Sequence, residues 1–233
     1  MSTEGTFQNL NNANNFDPNA LANETSTVIM FVVVTDVSPS IEDYVIPMND
    51  ASDEVFMKEL KNCHRKNDIV LKNIIFSEKV EHKSGFMPII NLQDDYLTVK
   101  PKGSGTALYQ AVLEALEHSV KYREDLEAQG IEVRTCIFII TDGEDNSSPI
   151  GATKKIKDIV TGLRKNEAWI SSFTINMLGV GRQSSFEHSC VEMGLDPKKM
   201  LSTIGATAKE IRQQMGVISQ SVSSSNASNA VSF

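Results

Sequence analysis

Val28-Ile29-Met30-Phe31-Val32-Val33-Val34 is apolar at every position, largely β-branched, and ends at Thr35-Asp36. A strand with one wet face alternates apolar and polar side chains. A run without alternation is buried on both faces and belongs to a sheet covered by helices on either side. The chain repeats this pattern. Ile69 to Phe76, Val133 to Ile140 and Trp169 to Leu178 read as further strands, and Val45 to His64, Thr106 to Tyr122 and Ile150 to Asn166 carry apolar residues at helical spacing. Strands alternating with helices imply an α/β fold built on a mostly parallel, doubly wound sheet.

The remaining stretches are read around that frame. In the helix from Thr106, residues Leu108, Val112, Ala115, Leu116 and Val120 form the core stripe, with Thr106 at or near the N-cap. His82-Lys83-Ser84-Gly85 is turn chemistry. It makes Phe86 to Leu92 the expected antiparallel partner of the second strand, at a sheet edge. Gln93 to Ser104 is expected to be a polar loop, Ser184 to Met193 a short helix, Lys199 to Thr203 a last short strand and 206–219 a last helix. Residues 1–26 are rich in Asn and 221–233 in Ser and Asn, so flexible segments are expected to flank one domain over 27–220.

Composition narrows the function. A net charge of -8, with no basic cluster, argues against nucleic acid as a partner. Cys63, Cys136 and Cys190 are odd in number and far apart, the pattern of reduced thiols in a cytoplasmic protein. The first residues lack the basic and apolar regions of a signal peptide, and the longest apolar runs are strand length, so no membrane association is expected.

A doubly wound sheet opens a crevice at the carboxyl ends of its strands, where the winding reverses. If the strands ending at Thr35 and Ile140 are neighbours there, Asp36 and Asp142 face each other. Three loops then bring Asp36, Ser38 and Ser40, Thr106, and Asp142 to one edge of the sheet. Two carboxylates and three hydroxyls are hard oxygen donors, suited to Mg²⁺ or Mn²⁺. Ca²⁺ suits the set less well. His64, His82, His118 and His188 are scattered without metal-ligand spacing, which disfavours zinc. Taken singly, Asp36, Ser38 and Thr106 have plainer readings as helix caps, and Asp142-Gly143 as a turn. Glu144 and Asp145 read as an acidic, solvated rim.

Asp36-Val37-Ser38-Pro39-Ser40, Gly103-Ser104-Gly105-Thr106 and Thr141-Asp142-Gly143-Glu144-Asp145, taken in order, resemble the metal-ion-dependent adhesion site of von Willebrand factor type A domains. The resemblance covers about 27–220. It implies a Rossmann-like, six-stranded sheet with one antiparallel edge strand and helices on both faces. It also implies a divalent cation held by Asp36, Ser38, Ser40, Thr106 and Asp142, and a protein partner whose Asp or Glu completes the coordination. Val37 and Pro39 depart from the small residues often found in the first motif, and they stiffen that loop. Among family members the chain is similar to stand-alone intracellular bacterial or phage versions, including the tellurite-resistance TerY type. A non-enzymatic binding role is expected. The alternatives are a metal-dependent hydrolase or phosphotransferase, and a structural or assembly subunit with a vestigial metal site. Against the first, Ser38 stands where a haloacid-dehalogenase-type phosphatase has its second acid. Gly179-Val180-Gly181-Arg182 also lacks the Lys-Ser/Thr of a nucleotide loop.

Overall fold

The computed structural model describes residues 17–22, 25–180 and 183–203, with residues 209, 213 and 216. Its centre is strand β1 (Thr27–Asp36), flanked in parallel by β2 (Ile69–Phe76) and β5 (Glu132–Thr141). From Val28 to Asp36 every residue of β1 is buried. The two faces explain the absence of alternation in the sequence. Val28, Met30, Val32 and Val34 enter one core cluster, whereas Ile29, Phe31 and Val33 enter the other.

Parallel pairing continues outward through β6 (Phe173–Val180) to β7 (Leu201–Thr203). The far edge of β2 is antiparallel, and two short pieces share it: β3 (Val80–His82) against Ile74 to Phe76, and β4 (Met87–Pro88) against Val70 and Leu71. Across the sheet the order is β3-β2-β1-β5-β6-β7, with β4 beside β2, so six positions are filled, five of them parallel. This is the mostly parallel α/β sheet with one antiparallel edge that the sequence implies. The hairpin itself differs from expectation. The chain turns back at Ser77–Lys79 rather than at His82–Gly85, and within Phe86 to Leu92 the expected antiparallel pairing is limited to Met87–Pro88, followed by a 3-10 turn at Ile89–Asn91.

On one face lie α4 (Leu108–Glu127), α5 (Ala152–Lys165) and α6 (Gln183–Glu192). The other face carries α2 (Glu42–Ala51) and α3 (Lys58–Asn62), joined by a π-helical segment at Ser52–Met57. The wide turn brings Phe56 and Met57 inward together with Leu60 and leaves Val55 half-buried, where plain helical spacing puts Val55 in the core stripe. Phe56 meets Phe31 edge-on at a centroid distance of 5.5 Å and stacks on Phe138 at 6.3 Å. The 93–104 segment is less polar in its role than in its composition, since Leu97 and Val99 are buried in the same cluster.

Helix α1 (Pro18–Ala22) buries Leu21 in the core beneath α4, so the arm expected to be flexible is ordered at this point. Residues 1–16 and 221–233 lie outside the described residues, as does most of 206–219. Cys63, Cys136 and Cys190 are free thiols. Among the described residues no helix is long and apolar enough to cross a membrane.

Truncating Phe56 leaves a cavity between two aromatic rings of the sheet. Phe56→Ala is expected to cost about 3–5 kcal/mol in urea unfolding; a loss below about 1 kcal/mol would show that the π-helical turn is not anchored by this ring.

Candidate metal centre

Among the described residues the strand order reverses between β1 and β5, neighbours from which the chain winds away in both directions. Thr35 stands opposite Ile140, which sets Asp36 beside Thr141 at the carboxyl ends. Asp36 closes β1 fully buried, and each of its oxygens is engaged. Oδ1 accepts the Ser38 backbone N–H at 2.9 Å, and Oδ2 accepts the Thr141 hydroxyl at 2.9 Å. The first bond is an Asx turn, the local geometry that short acidic side chains favour after a strand. It turns Ser38 inward, with its hydroxyl 2.9 Å from that of Ser40. Val37 is wholly buried, its N–H donates to Phe76 O at 2.8 Å, and its carbonyl accepts from Lys102 N at 2.7 Å. The departure from a small residue therefore anchors the loop without displacing a ligand candidate.

Gly143 N donates to Thr141 Oγ1 at 3.1 Å and Glu144 N to Asp142 Oδ1 at 3.1 Å, so the third loop wraps around its own acid. Gly143 has φ +85°, and a Cβ there would lie 2.5 Å from the backbone of Phe186 in α6. Both the conformation and the close approach call for glycine. Ser189 of α6 donates its hydroxyl to Gly143 O.

Thr106 lies one residue before the N-cap of α4, within the expected position at or near it. The N-cap position of α4 is Ala107, and the helix receives its caps from the third loop. Asp145 Oδ1 accepts Tyr109 N at 3.1 Å and the Ser148 hydroxyl at 2.5 Å, while Ser148 Oγ accepts Gln110 N at 2.9 Å. Asn146 Oδ1 accepts Thr106 N at 2.8 Å, and Thr106 O accepts Asn146 N at 2.9 Å and Ser147 N at 3.1 Å. Asp145 is thus no simple solvated rim: its carboxylate satisfies the first-turn N–H of Tyr109 and faces the positive end of the α4 dipole. Glu144 is exposed. The edge hairpin braces the other side of the Thr106 loop, through Ala107 N to Ser77 O at 2.6 Å and Ser104 N to Glu78 Oε2 at 2.8 Å.

The electrostatics of this cluster are uncompensated. Burial raises Asp36 from the ordinary 3.8 to about 6, and the charge of Asp142 adds to the rise; the bonds from Ser38 and Thr141 pull it partly back. Among the described residues neither acid has a salt bridge to a basic side chain. Two carboxylates at a crevice with no counter-charge are what a cation relieves. The same residues contain no cluster of three or more His, Cys, Asp or Glu able to hold a metal. A metal here would accordingly depend on the hydroxyls of Ser38, Ser40 and Thr106 beside the two acids. That donor chemistry fits a hard cation such as Mg²⁺ or Mn²⁺. Ser38, Thr106 and Asp142 are buried, whereas Ser40 faces solvent. Next to Asp142 opens a cleft of about 320 Å³, lined by Tyr109, Gly143, Glu144, Asn146, His188 and Glu192, among others. Of the histidines near the first motif's neighbours in space, His188 reaches this cleft; His64 lies before β2, at the opposite end of the sheet.

No known family profile and no curated protein matches the chain by sequence. Solved structures match its fold. A von Willebrand factor type A protein from Catenulispora acidiphila superposes with TM-score 0.56 at 13% identity, covering 84% of this chain and 42% of its own. The pilus adhesin SpaC of Lactobacillus rhamnosus GG gives 0.63 at 11%, over 86% of this chain and 30% of its own. Proximal thread matrix protein 1 of the mussel byssus, whose metal-ion-dependent adhesion motif is occupied by zinc in that structure, gives 0.57 at 14%, over 84% and 48%. This chain spans less than half the length of each of these three proteins. The likeness defines the class: the chain has the fold of a von Willebrand factor type A domain.

The sequence located the acids and serines at the crevice. It missed Asn146 and Ser148 and misread Asp145. The one available signal was the Asp145-Asn146-Ser147-Ser148 cluster, separated by two residues from the strand-end acid Asp142.

The raised Asp36 carboxyl gives a pH test. The folded protein holds this proton more tightly than the unfolded chain does, so the stabilising contribution is full below 3.8 and lost as pH rises through about 6. In EDTA, Asp36→Asn is expected to remove on the order of 3 kcal/mol of that pH dependence, read by urea unfolding between pH 4 and 7. An unchanged slope would show that Asp36 carries no such strain.

Proposed function

We propose that this chain is a divalent-cation-dependent protein-binding module. The observation that carries the reading is the buried Asp36 beside Asp142, without a basic partner, at the crevice where Ser38, Ser40 and the Thr106 loop are held by their own hydrogen bonds. Asp36, Ser38, Ser40, Thr106 and Asp142 would hold Mg²⁺ or Mn²⁺, with Ca²⁺ less suited to the set. When bound, the cation supplies an electrophilic point for an outside carboxylate, since a donor set rich in neutral hydroxyls leaves much of its charge unquenched. The residues of this chain do the positioning: Thr141 and the Ser38 N–H orient Asp36, and Asn146 fixes the Thr106 backbone. A partner Asp or Glu would complete the coordination.

A binding role rather than catalysis is supported by the company of the hydroxyls. Ser38 bonds Ser40, not a histidine that would activate it as a nucleophile. A cytoplasmic setting, in a bacterial or phage protein, belongs to the same proposal and suits three free thiols.

Mg²⁺ or Mn²⁺ is expected to raise the melting temperature of the wild type and not of Asp142→Ala. Saturation at 100 times Kd corresponds to about 2.7 kcal/mol. No shift at millimolar metal in the wild type would sink the site. A pull-down from cell extract is expected to recover a protein that EDTA releases, and whose own Asp or Glu substitution abolishes capture. Capture that ignores both EDTA and Asp142→Ala would point to a surface elsewhere.

A further inference from the structure

The middle of β2, deep in the sheet, is a lysine. Lys72 is 1% exposed and shares its face with Val70 and Ile74, toward α4. Its Nζ donates to Ser84 O at 3.1 Å and stands 5.5 Å from the Phe86 ring centroid. Beside it β3 contributes His82, whose Nε2 lies 2.7 Å from Glu114 Oε2 on α4. The His82 ring packs on that of His118, one turn further along α4, with centroids 4.8 Å apart. His82 Nδ1 is buried with no hydrogen-bond partner. Gln110 donates to the other Glu114 oxygen at 2.5 Å. Three basic groups thus share one carboxylate. Of the other charges nearby, Glu117 of α4 interacts with Lys155 of α5 and is repelled by Glu114, and Glu81 of β3 pairs with Lys102 at 2.6 Å.

We propose that Lys72, His82, Glu114 and His118 form an acid-sensitive clasp that closes the β3 edge against α4 and opens locally when His118 takes up a proton. Among the described residues Glu114 is the acid bonded within the closed cluster and both its oxygens are taken, so a further proton is accommodated by separating the rings and wetting the edge. The edge is where separation is cheapest. β3 pairs through only three residues, whereas β1 is paired on both sides along its length. Few buried contacts and short pairing define the segments that open first. The opening has a structural consequence, because the turn joining β2 to β3 carries Ser77 and Glu78, which brace the Gly103–Ala107 loop.

The protonation states agree with this geometry. Burial first, then the charges of Lys72 and His82, lower His118 from 6.5 to about 4. Burial lowers Lys72 to about 8, which leaves it charged at neutral pH. Burial works to raise Glu114, but the bonds from His82 and Gln110 prevail and hold it below the usual carboxylate range. A base with a lowered pKa stabilises the closed form fully above 6.5, and that contribution is lost as pH falls through about 4. Between pH 7 and pH 5 the opening equilibrium of the clasp is expected to rise about 20-fold.

The test needs no metal. Histidine ring resonances are followed by NMR from pH 8 to 4, and amide exchange, corrected for its intrinsic pH dependence, is compared at pH 7 and 5. The expected result is a His118 midpoint below 5. Opening of β3 and the facing turns of α4 should rise about 20-fold while β1 and β5 stay unchanged. His118→Gln removes the rise, and Lys72→Met moves the His118 midpoint upward. A wild-type His118 midpoint near 6.5, an equal response in β1 and β5, a rise persisting in His118→Gln, or an unmoved midpoint in Lys72→Met would each overturn the clasp.

Discussion

An acid is carried to the end of a strand that is buried on both faces, and most of the site follows from that constraint. Asp36 cannot reach bulk water, because β2 and β5 flank it and Val37 plugs the next position. Its charge is tolerated through two donated hydrogen bonds, and those bonds set the path of two loops. The Ser38 N–H draws the first loop into its turn. The Thr141 hydroxyl holds the end of β5 level with the end of β1. The carboxylate thereby organises the crevice before any ligand arrives, and its unfavourable burial is the electrostatic reason for a cation to enter.

Legibility from sequence follows the range of the interactions involved. β1, β2 and β5 were readable because burial on both faces erases alternation, a signal contained within eight or ten residues. The core stripe of α4 was readable for the same local reason. The meeting of Asp36 with Asp142 required one topological assumption, that the strands ending at Thr35 and Ile140 are neighbours, and the register of β1 on β5 supplies it. The π-helical turn at Ser52–Met57 was not readable, since it is selected by Phe31 and Phe138 across the interface. The hairpin turn was misplaced because Ser77-Glu78-Lys79 lacks the Gly or Asn that marks tight turns, whereas Ser84-Gly85 displays one.

The caps of α4 show the same limit most clearly. A helix start is normally read from the residue just before it. Here Tyr109 and Gln110 find their acceptors on Asp145 and Ser148, more than thirty-five residues away in the chain. Such a long-range cap leaves the local sequence, Gly-Thr-Ala-Leu, without its usual signature. It also makes the second and third loops a single mechanical unit, since the Asn146 side chain and backbone hold Thr106 from both directions. Likewise, His82 and His118 look unrelated along the chain and are stacked in space.

Several ties between the loops are made by main-chain atoms alone: Val37 with Phe76 and Lys102, Ala107 with Ser77, and Asn146 with Thr106. Peptide groups are common to every amino acid except for the missing N–H of proline, so substitution rarely erases such a lattice. Side chains between the anchoring positions are then free to drift over long evolutionary times while the crevice keeps its shape. A shared fold at 11–14% identity, with no family profile or curated protein matching by sequence, is what such a scaffold allows.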